Sequence, residues 1–265
     1  MIDRMFQKLA SKDETALIVY IPAGFPSLPE SMDLLKTIGE SGADLIELGV
    51  PFCDPVADGP TIQAATQQAL DRGATLRGIL DALREAGYGD GAEDRTPLSL
   101  MSYLNPLLAL GREALLAEMA QLKIAGLIIA DLPLEEADEW VEATRRHGIS
   151  LSLLVAPTSG TDRARRIAEL SGGFVYYVSV TGITGARTEL PEDLLSSVAE
   201  LKSCTKRPVA VGFGIATPDH VQQLRNVPAE GRADAVVVGS RVVRAIQDQE
   251  NVAELIRSLK AATRS

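Results

Sequence analysis

The sequence predicts an α/β fold: a TIM barrel of the (β/α)8 type with parallel strands and extra helices at the amino terminus and after the second strand. Three observations support this prediction. Eight short apolar runs alternate with helical stretches, the runs are apolar on both faces, and 265 residues is a length typical of such a barrel. We therefore expect residues 1–265 to form a single TIM-barrel domain.

The predicted elements follow one another regularly along the chain. The strands are ALIVYIPA, DLIELGV, LSLMSYL, IAGLIIADLP, ISLSLLVAP, FVYYVSV, RPVAVGF and ADAVVVG. A short amphipathic helix precedes the first strand, and the wide gap after the second leaves room for another. Later helices carry end signals: LEEADEWVEATRRHG places acids first and bases last, and TPDHVQQLRN opens with Thr217 and Pro218. No linker or change in composition marks a second domain.

Composition narrows the possible functions. A net charge of −10 argues against a nucleic acid as the main partner, because such binding depends on clustered Lys and Arg. Cys53 and Cys204 stand far apart without a CxxC motif, which fits a reducing compartment. The amino-terminal MIDRMFQKLASKDE lacks the apolar core of a signal peptide, and no apolar run is long enough to cross a membrane. We expect a cytoplasmic protein.

Two carboxylates mark the predicted catalytic end of the barrel, where the carboxyl ends of the strands meet. Glu47 ends the second strand, and an unpaired carboxylate in an apolar strand is costly unless it has a function. A structural alternative is an ion pair with a buried Arg. Asp58 follows in the loop sequence ADGP, which is also ordinary turn chemistry. Together the two predict proton transfer at two atoms of one small ligand.

Glycines at three later strand ends predict a phosphate site. They occur in TGITGA at Thr181–Ala186, in GFG at Gly212–Gly214, and at Gly239 before Ser240. Glycine lets several backbone N–H groups approach a phosphate, and a helix amino terminus adds a favourable dipole. A lone glycine pair would more often reflect turn geometry, but three successive units favour an anion site.

The remaining candidates and absences restrict the mechanism. Tyr103 and Tyr176 lie at or near strand ends, where each could contact a ligand or pack as a core ring. None of the seven lysines ends a predicted strand, which argues against a Schiff-base aldolase. His147 and His220 fall in helices, so neither a His-based metal site nor a His base is expected. Carboxylates and tyrosines remain as the proton-transfer groups.

Several motifs together resemble the tryptophan synthase alpha subunit family: ELGVPFCDPVADGPTIQ, SYLNP, ADLP, TGITG and GFGI, in that order. The resemblance covers nearly the whole chain, and the first string is its most specific part. It implies a lyase that cleaves indole-3-glycerol phosphate to indole and glyceraldehyde 3-phosphate by a retro-aldol step in tryptophan biosynthesis, with no cofactor or metal in this chain.

The resemblance also implies residue roles. Glu47 would be the general acid/base, Asp58 would accept the indole N–H, Tyr176 would place the substrate, and Tyr103 would pack against the ring. The phosphate would be held by Gly182, Gly185, Gly212, Phe213, Gly214, Gly239 and Ser240. A beta subunit carrying PLP would complete an alpha2beta2 complex, and the loop with Asp54 and the loop 181–192 would order on ligand and partner binding.

Two positions depart from the family pattern. Phe25 stands where an Asp is common, and Cys53 stands where a Ser is usual. These changes leave the two carboxylates intact and bear on how the loops couple to the partner subunit. Three alternatives remain from the sequence alone. The chain could be a stand-alone indole-glycerol-phosphate lyase, another phosphosugar barrel such as an isomerase, or a non-catalytic subunit that activates its partner.

Overall fold

The computed structural model describes residues 1–90, 95–178, 194–212 and 214–264. Within them the strands form one parallel sheet in the order β5-β4-β3-β2-β1-β9-β8-β7-β6. The strands are β1 (Ala16–Pro22), β2 (Leu45–Gly49), β3 (Leu98–Ser102), β4 (Gly126–Ile129), β5 (Ser150–Ser152), β6 (Leu154–Val155), β7 (Val175–Val178), β8 (Val209–Gly212) and β9 (Ala235–Val238). The two outermost segments, β5 and β6, are consecutive in the chain, so the sheet closes into the predicted barrel.

The predicted fifth strand is divided in two at Leu153. Its N–H donates to the Ser171 side-chain oxygen at 3.2 Å instead of to a neighbouring strand. Its carbonyl still accepts from the N–H of Tyr176 at 3.0 Å, so this run remains joined to β7. The two segments therefore represent one of the eight predicted strands.

The helices surround the barrel and include the predicted extra ones. One precedes β1, and two lie between β2 and β3. Ser27 and Thr217 accept hydrogen bonds at the starts of two later helices, as expected for amino-terminal caps. The described helices are α1 (Ile2–Ala10), α2 (Leu28–Glu40), α3 (Pro60–Asp71), α4 (Leu76–Glu85), α5 (Leu104–Leu110), α6 (Arg112–Gln121), α7 (Ala137–Arg146), α8 (Thr161–Leu170), α9 (Leu194–Cys204), α10 (Pro218–Arg225), α11 (Ser240–Gln247) and α12 (Val252–Ala262). Of these described helices, none has the length and apolar character needed to cross a membrane.

Strand register determines which side chains face the barrel interior. Tyr20, Glu47, Ser99 and Gly126 are successive register partners across β1, β2, β3 and β4. Register partners in a parallel sheet point to the same face. Tyr20 and Tyr176 lie on strands that are not neighbours, yet the pKa of Tyr176 is raised by burial and then by Glu47 and Tyr20. This shared face is therefore the interior.

Helix α1 closes the amino-terminal end of the barrel. Ile2 is fully buried and lies beneath Gly126 and Gly173, whose missing side chains leave room for it. Phe6, one turn later, packs against Phe174 with ring centroids 5.9 Å apart. The described interior is thus apolar at this end, away from the carboxyl ends of the strands.

A buried ion-pair cluster attaches the last helix to the same end. Lys260 in α12 lies 3.2 Å from Glu14 and 2.8 Å from Asp44, and its side chain is only 7% exposed. Asp44 also accepts a hydrogen bond from the backbone N–H of Leu17 in β1 at 2.8 Å. The cluster joins the carboxy-terminal helix to the first strand and to the turn before β2.

Candidate active site

Glu47 lies inside the barrel near the end of β2. Its side chain is completely buried, and neither carboxyl oxygen has a hydrogen-bond partner among the described residues. The structure therefore does not support the ion pair with a buried Arg that the sequence left open. Because burial disfavours the charged form, it raises the pKa of Glu47 to about 8. At neutral pH this carboxyl group holds a proton that it can donate.

Asp58 lies in the loop after β2 and is held there by Tyr103. The Tyr103 hydroxyl donates to the Asp58 carboxylate at 3.1 Å and accepts from the N–H of Ala57 at 3.0 Å. Phe52, earlier in the same loop, packs on the Tyr103 ring with centroids 5.3 Å apart. Burial raises the pKa of Asp58 to about 6, and the Tyr103 hydrogen bond opposes the increase. Asp58 is therefore mostly ionised at pH 7.

Two buried tyrosines lie in the same interior space as both carboxyl groups. Burial raises the pKa of Tyr20 most, and Asp58 and Glu47 raise it further. Tyr176, on the far side of the barrel, responds to the same two carboxyls after burial. Glu47 and Asp58 thus face one space. Sequence reasoning identified Tyr176 but not Tyr20, whose signal was its register beside Glu47 in an otherwise aliphatic strand.

Glycines at two strand ends make room for these tyrosines. A Cβ added at Gly49 would overlap the Tyr20 hydroxyl, and one added at Gly212 would overlap the Tyr176 ring and hydroxyl. Both positions therefore require glycine for close approach rather than for backbone conformation. For Gly212 this is a packing role beside the predicted phosphate role.

A largely apolar cavity of about 280 Å³ opens near the carboxyl ends of β4, β6 and β7. Its walls include Ala57 beside Asp58, Leu154 in β6 and Val178 at the end of β7. Leu154 is the register partner of Tyr176, which links the cavity to the face carrying the carboxyl groups. The volume is near the lower end of the range for small-molecule sites, and the apolar lining suits a flat aromatic ring.

The predicted phosphate residues are partly described. Gly212 ends β8, and Gly239 directly follows the neighbouring β9, so they lie at one edge of the sheet. Ser240 begins α11, which presents backbone N–H groups at this edge, and Gly214 has a positive φ of 87°. Gly182, Gly185 and Phe213 lie outside the described residues.

The neighbouring loops show where the other sequence candidates lie. Asp54 and Cys53 are exposed in the loop between β2 and Asp58, whereas Phe25 is buried. Asp131 accepts from the N–H of Leu104 at 2.7 Å, which caps the start of α5. This capping role explains why an acidic residue stands at this strand end, and it requires no catalytic role for Asp131.

The fold and site together define a class of protein. It is a TIM-barrel enzyme with a protonated interior carboxyl group, an ionised second one in the loop after β2, and a small, largely apolar cavity whose wall includes Ala57, the residue before Asp58. Such a pair is suited to acid/base chemistry on a neutral aromatic ligand.

Comparisons with known proteins specify the family. The sequence profile of the tryptophan synthase alpha chain matches residues 6–264. The alpha chain of Gloeobacter violaceus is 43% identical over 270 residues, which span 100% of this chain and 95% of the relative. That of a Caulobacter species is 44% identical over 259 residues, spanning 96% and 91%. The chain belongs to the tryptophan synthase alpha chain family, and it is a lyase of the indole-glycerol-phosphate type.

Solved structures agree with this assignment. A chain of Mycobacterium tuberculosis tryptophan synthase superimposes with a TM-score of 0.88 at 34% identity, covering 100% of this chain and 98% of that one. The tryptophan synthase alpha chain of Legionella pneumophila gives 0.84 at 29% identity, with coverage of 99% and 96%. The resemblance noted in the sequence is confirmed over the whole barrel.

Proposed function

We propose that Glu47 and Asp58 carry out the cleavage of indole-3-glycerol phosphate to indole and glyceraldehyde 3-phosphate. The observation that carries the proposal is the fully buried, unpaired carboxyl group of Glu47 sharing one space with Asp58. Two carboxyls whose pKa values lie on opposite sides of pH 7 can serve as proton donor and as anion at the same time.

Glu47 transfers two protons in succession. It first donates its proton to C3 of the indole ring, which leaves the ring cationic and Glu47 ionised. The Glu47 carboxylate then takes the proton of the glycerol hydroxyl on the carbon bonded to C3. As that C–O becomes a carbonyl, the carbon–carbon bond breaks and its electron pair returns to the ring. Indole and the aldehyde leave, and Glu47 is again protonated.

Asp58 supports the cationic intermediate as an anion. It accepts the indole N–H and places a negative charge beside the positive ring, the kind of electrostatic stabilisation that lowers a barrier most in a dry site. The Tyr103 hydroxyl fixes its orientation through the 3.1 Å hydrogen bond. Tyr103 thus acts through Asp58, in addition to the ring contact that the family resemblance implies.

The substrate phosphate binds at the other side of the opening. Gly212, Gly214, Gly239 and Ser240, with Gly182, Gly185 and Phe213, form the proposed phosphate site. The support is the adjacency of β8 and β9 and the helix start at Ser240. Tyr176 packs against Gly212 at this edge, and its pKa responds to Glu47, which supports a role in orienting the substrate between them.

We also infer that a PLP-bearing beta subunit covers this end of the barrel in an alpha2beta2 complex. Val56 is 68% exposed in the loop with Asp54, and Leu108 in α5 is 51% exposed. Together with the family resemblance, these two exposed apolar side chains support a protein contact at this end. Cys53 and Cys204 are both free thiols, which supports a cytoplasmic location.

The test is a coupled assay for indole release from indole-3-glycerol phosphate, with and without a beta subunit. Wild-type chain should cleave the substrate, and added beta subunit should raise the rate. Asp58→Asn should lower kcat by at least about 100-fold, as expected for loss of a charge-stabilising group. No cleavage by the wild-type complex, or a near-normal rate in Asp58→Asn, would contradict the proposal.

The pH profile gives a second measurement. Activity needs Asp58 ionised and Glu47 protonated, so kcat/KM should fall below pH about 6 and above pH about 8. The substrate phosphate also titrates near pH 6. The residual activity of Asp58→Asn separates the two, because a limb caused by the phosphate would remain in that variant.

A further inference from the structure

Ser99 is a buried polar residue beside Glu47 that the proposed chemistry has not used. It is the second residue of β3 and the register partner of Glu47 in β2. Its hydroxyl oxygen is buried and has no hydrogen-bond partner among the described residues, and the same holds for both oxygens of Glu47. Leaving buried polar atoms unpaired is costly, and such atoms are uncommon away from functional sites.

The geometry brings the two groups within reach of each other. Adjacent strands lie about 4.8 Å apart, and register partners point to the same face. Rotation about the side-chain bonds of both residues can therefore bring the Glu47 carboxyl group and the Ser99 hydroxyl together. A Cβ added at Gly126, on the far side of Ser99, would overlap the Ser99 oxygen. The Ser99 hydroxyl thus occupies space that a side chain at position 126 would need.

The other groups around Glu47 differ by level in the barrel. Tyr20 is the register partner of Glu47 on β1, but its hydroxyl extends toward Gly49, and the Tyr176 hydroxyl extends toward Gly212, both nearer the opening. Ile2 lies beyond Ser99 toward the closed end, where the wall is apolar. Ser99 is therefore a hydroxyl donor in the same layer as Glu47.

We propose that Ser99 is a positioning residue for Glu47, whose hydroxyl donates a hydrogen bond to the Glu47 carboxylate once the proton has been transferred to the substrate. The inference deepens the proposed function and rests on Glu47 becoming ionised during the cycle. A hydroxyl donor favours the charged form of a carboxyl group, and it holds the carboxylate in one orientation until it takes the second proton.

The direct test is the pKa of Glu47 measured by NMR on chain labelled with 13C at the glutamate carboxyl carbons, with Glu47→Gln to assign the signal. In Ser99→Ala the pKa of Glu47 should rise by about one pH unit, because the carboxylate loses a charge-assisted hydrogen bond. Ser99→Thr keeps the hydroxyl and should leave the pKa near the wild-type value. Circular dichroism and urea unfolding check that each variant is folded.

A relocated hydroxyl provides the matched control. In the double variant Ser99→Gly with Gly126→Ser, the new Cβ takes the place of the old oxygen, and its hydroxyl lies one bond away. The remaining close neighbour is the terminal methyl group of Ile2, at 2.9 Å from that Cβ, which has room to rotate. This variant should return the pKa of Glu47 toward the wild-type value.

Activity gives an independent second measurement. Ser99→Ala should lower kcat for indole release about tenfold with little change in KM, and move the basic limb of kcat/KM upward with the pKa. An unchanged Glu47 pKa in Ser99→Ala, an equal change in Ser99→Thr, or a relocated hydroxyl without effect would each overturn the proposal. The NMR measurement does not depend on turnover. If Ser99→Ala raises the pKa of Glu47 but the wild-type chain cleaves no substrate, the proposed function is refuted and the Ser99 interaction is not.

Discussion

Glu47→Gln should make the protein more stable while it removes activity. The folded chain holds the Glu47 proton up to pH about 8, whereas the unfolded chain releases it near the ordinary glutamate pKa of 4.5. Keeping the proton at pH 7 costs about 2.5 pH units at about 1.36 kcal/mol each, or about 3 kcal/mol. Glutamine resembles the protonated side chain and avoids this cost, so the free energy of unfolding should rise by about 3 kcal/mol.

The pH dependence identifies the source of this gain. Since the folded pKa is raised, the stability contribution of Glu47 is fully present below pH about 4.5 and is lost as the pH rises to about 8. The difference between Glu47→Gln and wild type should therefore be near zero at pH 4.5, reach about 3 kcal/mol at pH 7 and stop growing above pH 8. Urea unfolding at these pH values measures it.

The matched control is Glu85→Gln, which makes the same chemical change at an exposed position in α4. It should shift stability by less than about 0.5 kcal/mol, with no growth between pH 4.5 and pH 8. Both variants are also assayed for indole release, where only Glu47→Gln should lose at least about 100-fold in kcat. A wild-type protein as stable as Glu47→Gln at pH 7, or a difference independent of pH, would refute the reasoning.

Three further substitutions test the surroundings of the site. Tyr103→Phe removes the donor that lowers the pKa of Asp58, so the acid limb of kcat/KM should move to higher pH. Gly212→Ala should push the Tyr176 ring from its place and raise KM, because the added Cβ overlaps that ring. Lys260→Met removes the cation shared by two carboxylates and should cost about 3 kcal/mol in urea unfolding, with kcat nearly unchanged.

A specific result would contradict each of these three predictions. An acid limb unmoved in Tyr103→Phe would mean that the hydroxyl does not influence Asp58 in solution. A Gly212→Ala chain with normal KM and kcat would show that the Tyr176 ring is free to shift. Equal stability of Lys260→Met and wild type would mean that the buried cluster contributes nothing net, and Lys36→Met, in an exposed pair at 3.9 Å, serves as its control.

Much of the barrel was predictable because its strands are apolar on both faces and its helices carry end signals. Thr217 caps a helix at the expected place. The interruption at Leu153 was not predictable, because it depends on the hydroxyl of Ser171, a residue distant in sequence. Local patterns do not contain such long-range hydrogen bonds.

The site was predictable to a similar degree. Glu47 stood out because its charge interrupts an apolar strand, and the structure gives it complete burial. Tyr20 and Ser99 did not stand out, since each is an ordinary strand residue until the register places it beside Glu47. Tyr103 was expected as a ring contact, but its hydroxyl on Asp58 depends on how the loop folds back.

Ile2 and Phe6 close the amino-terminal end of the barrel, so the described part of the barrel is open at its other end. Among the described residues, substrate entry and indole exit then take place through the opening near Asp58. A protein seated on that opening would decide where released indole goes, while the sealed base prevents leakage in the other direction. The direction in which indole leaves the barrel would thus depend on Ile2 and Phe6, two apolar side chains at the end farthest from the carboxyl groups.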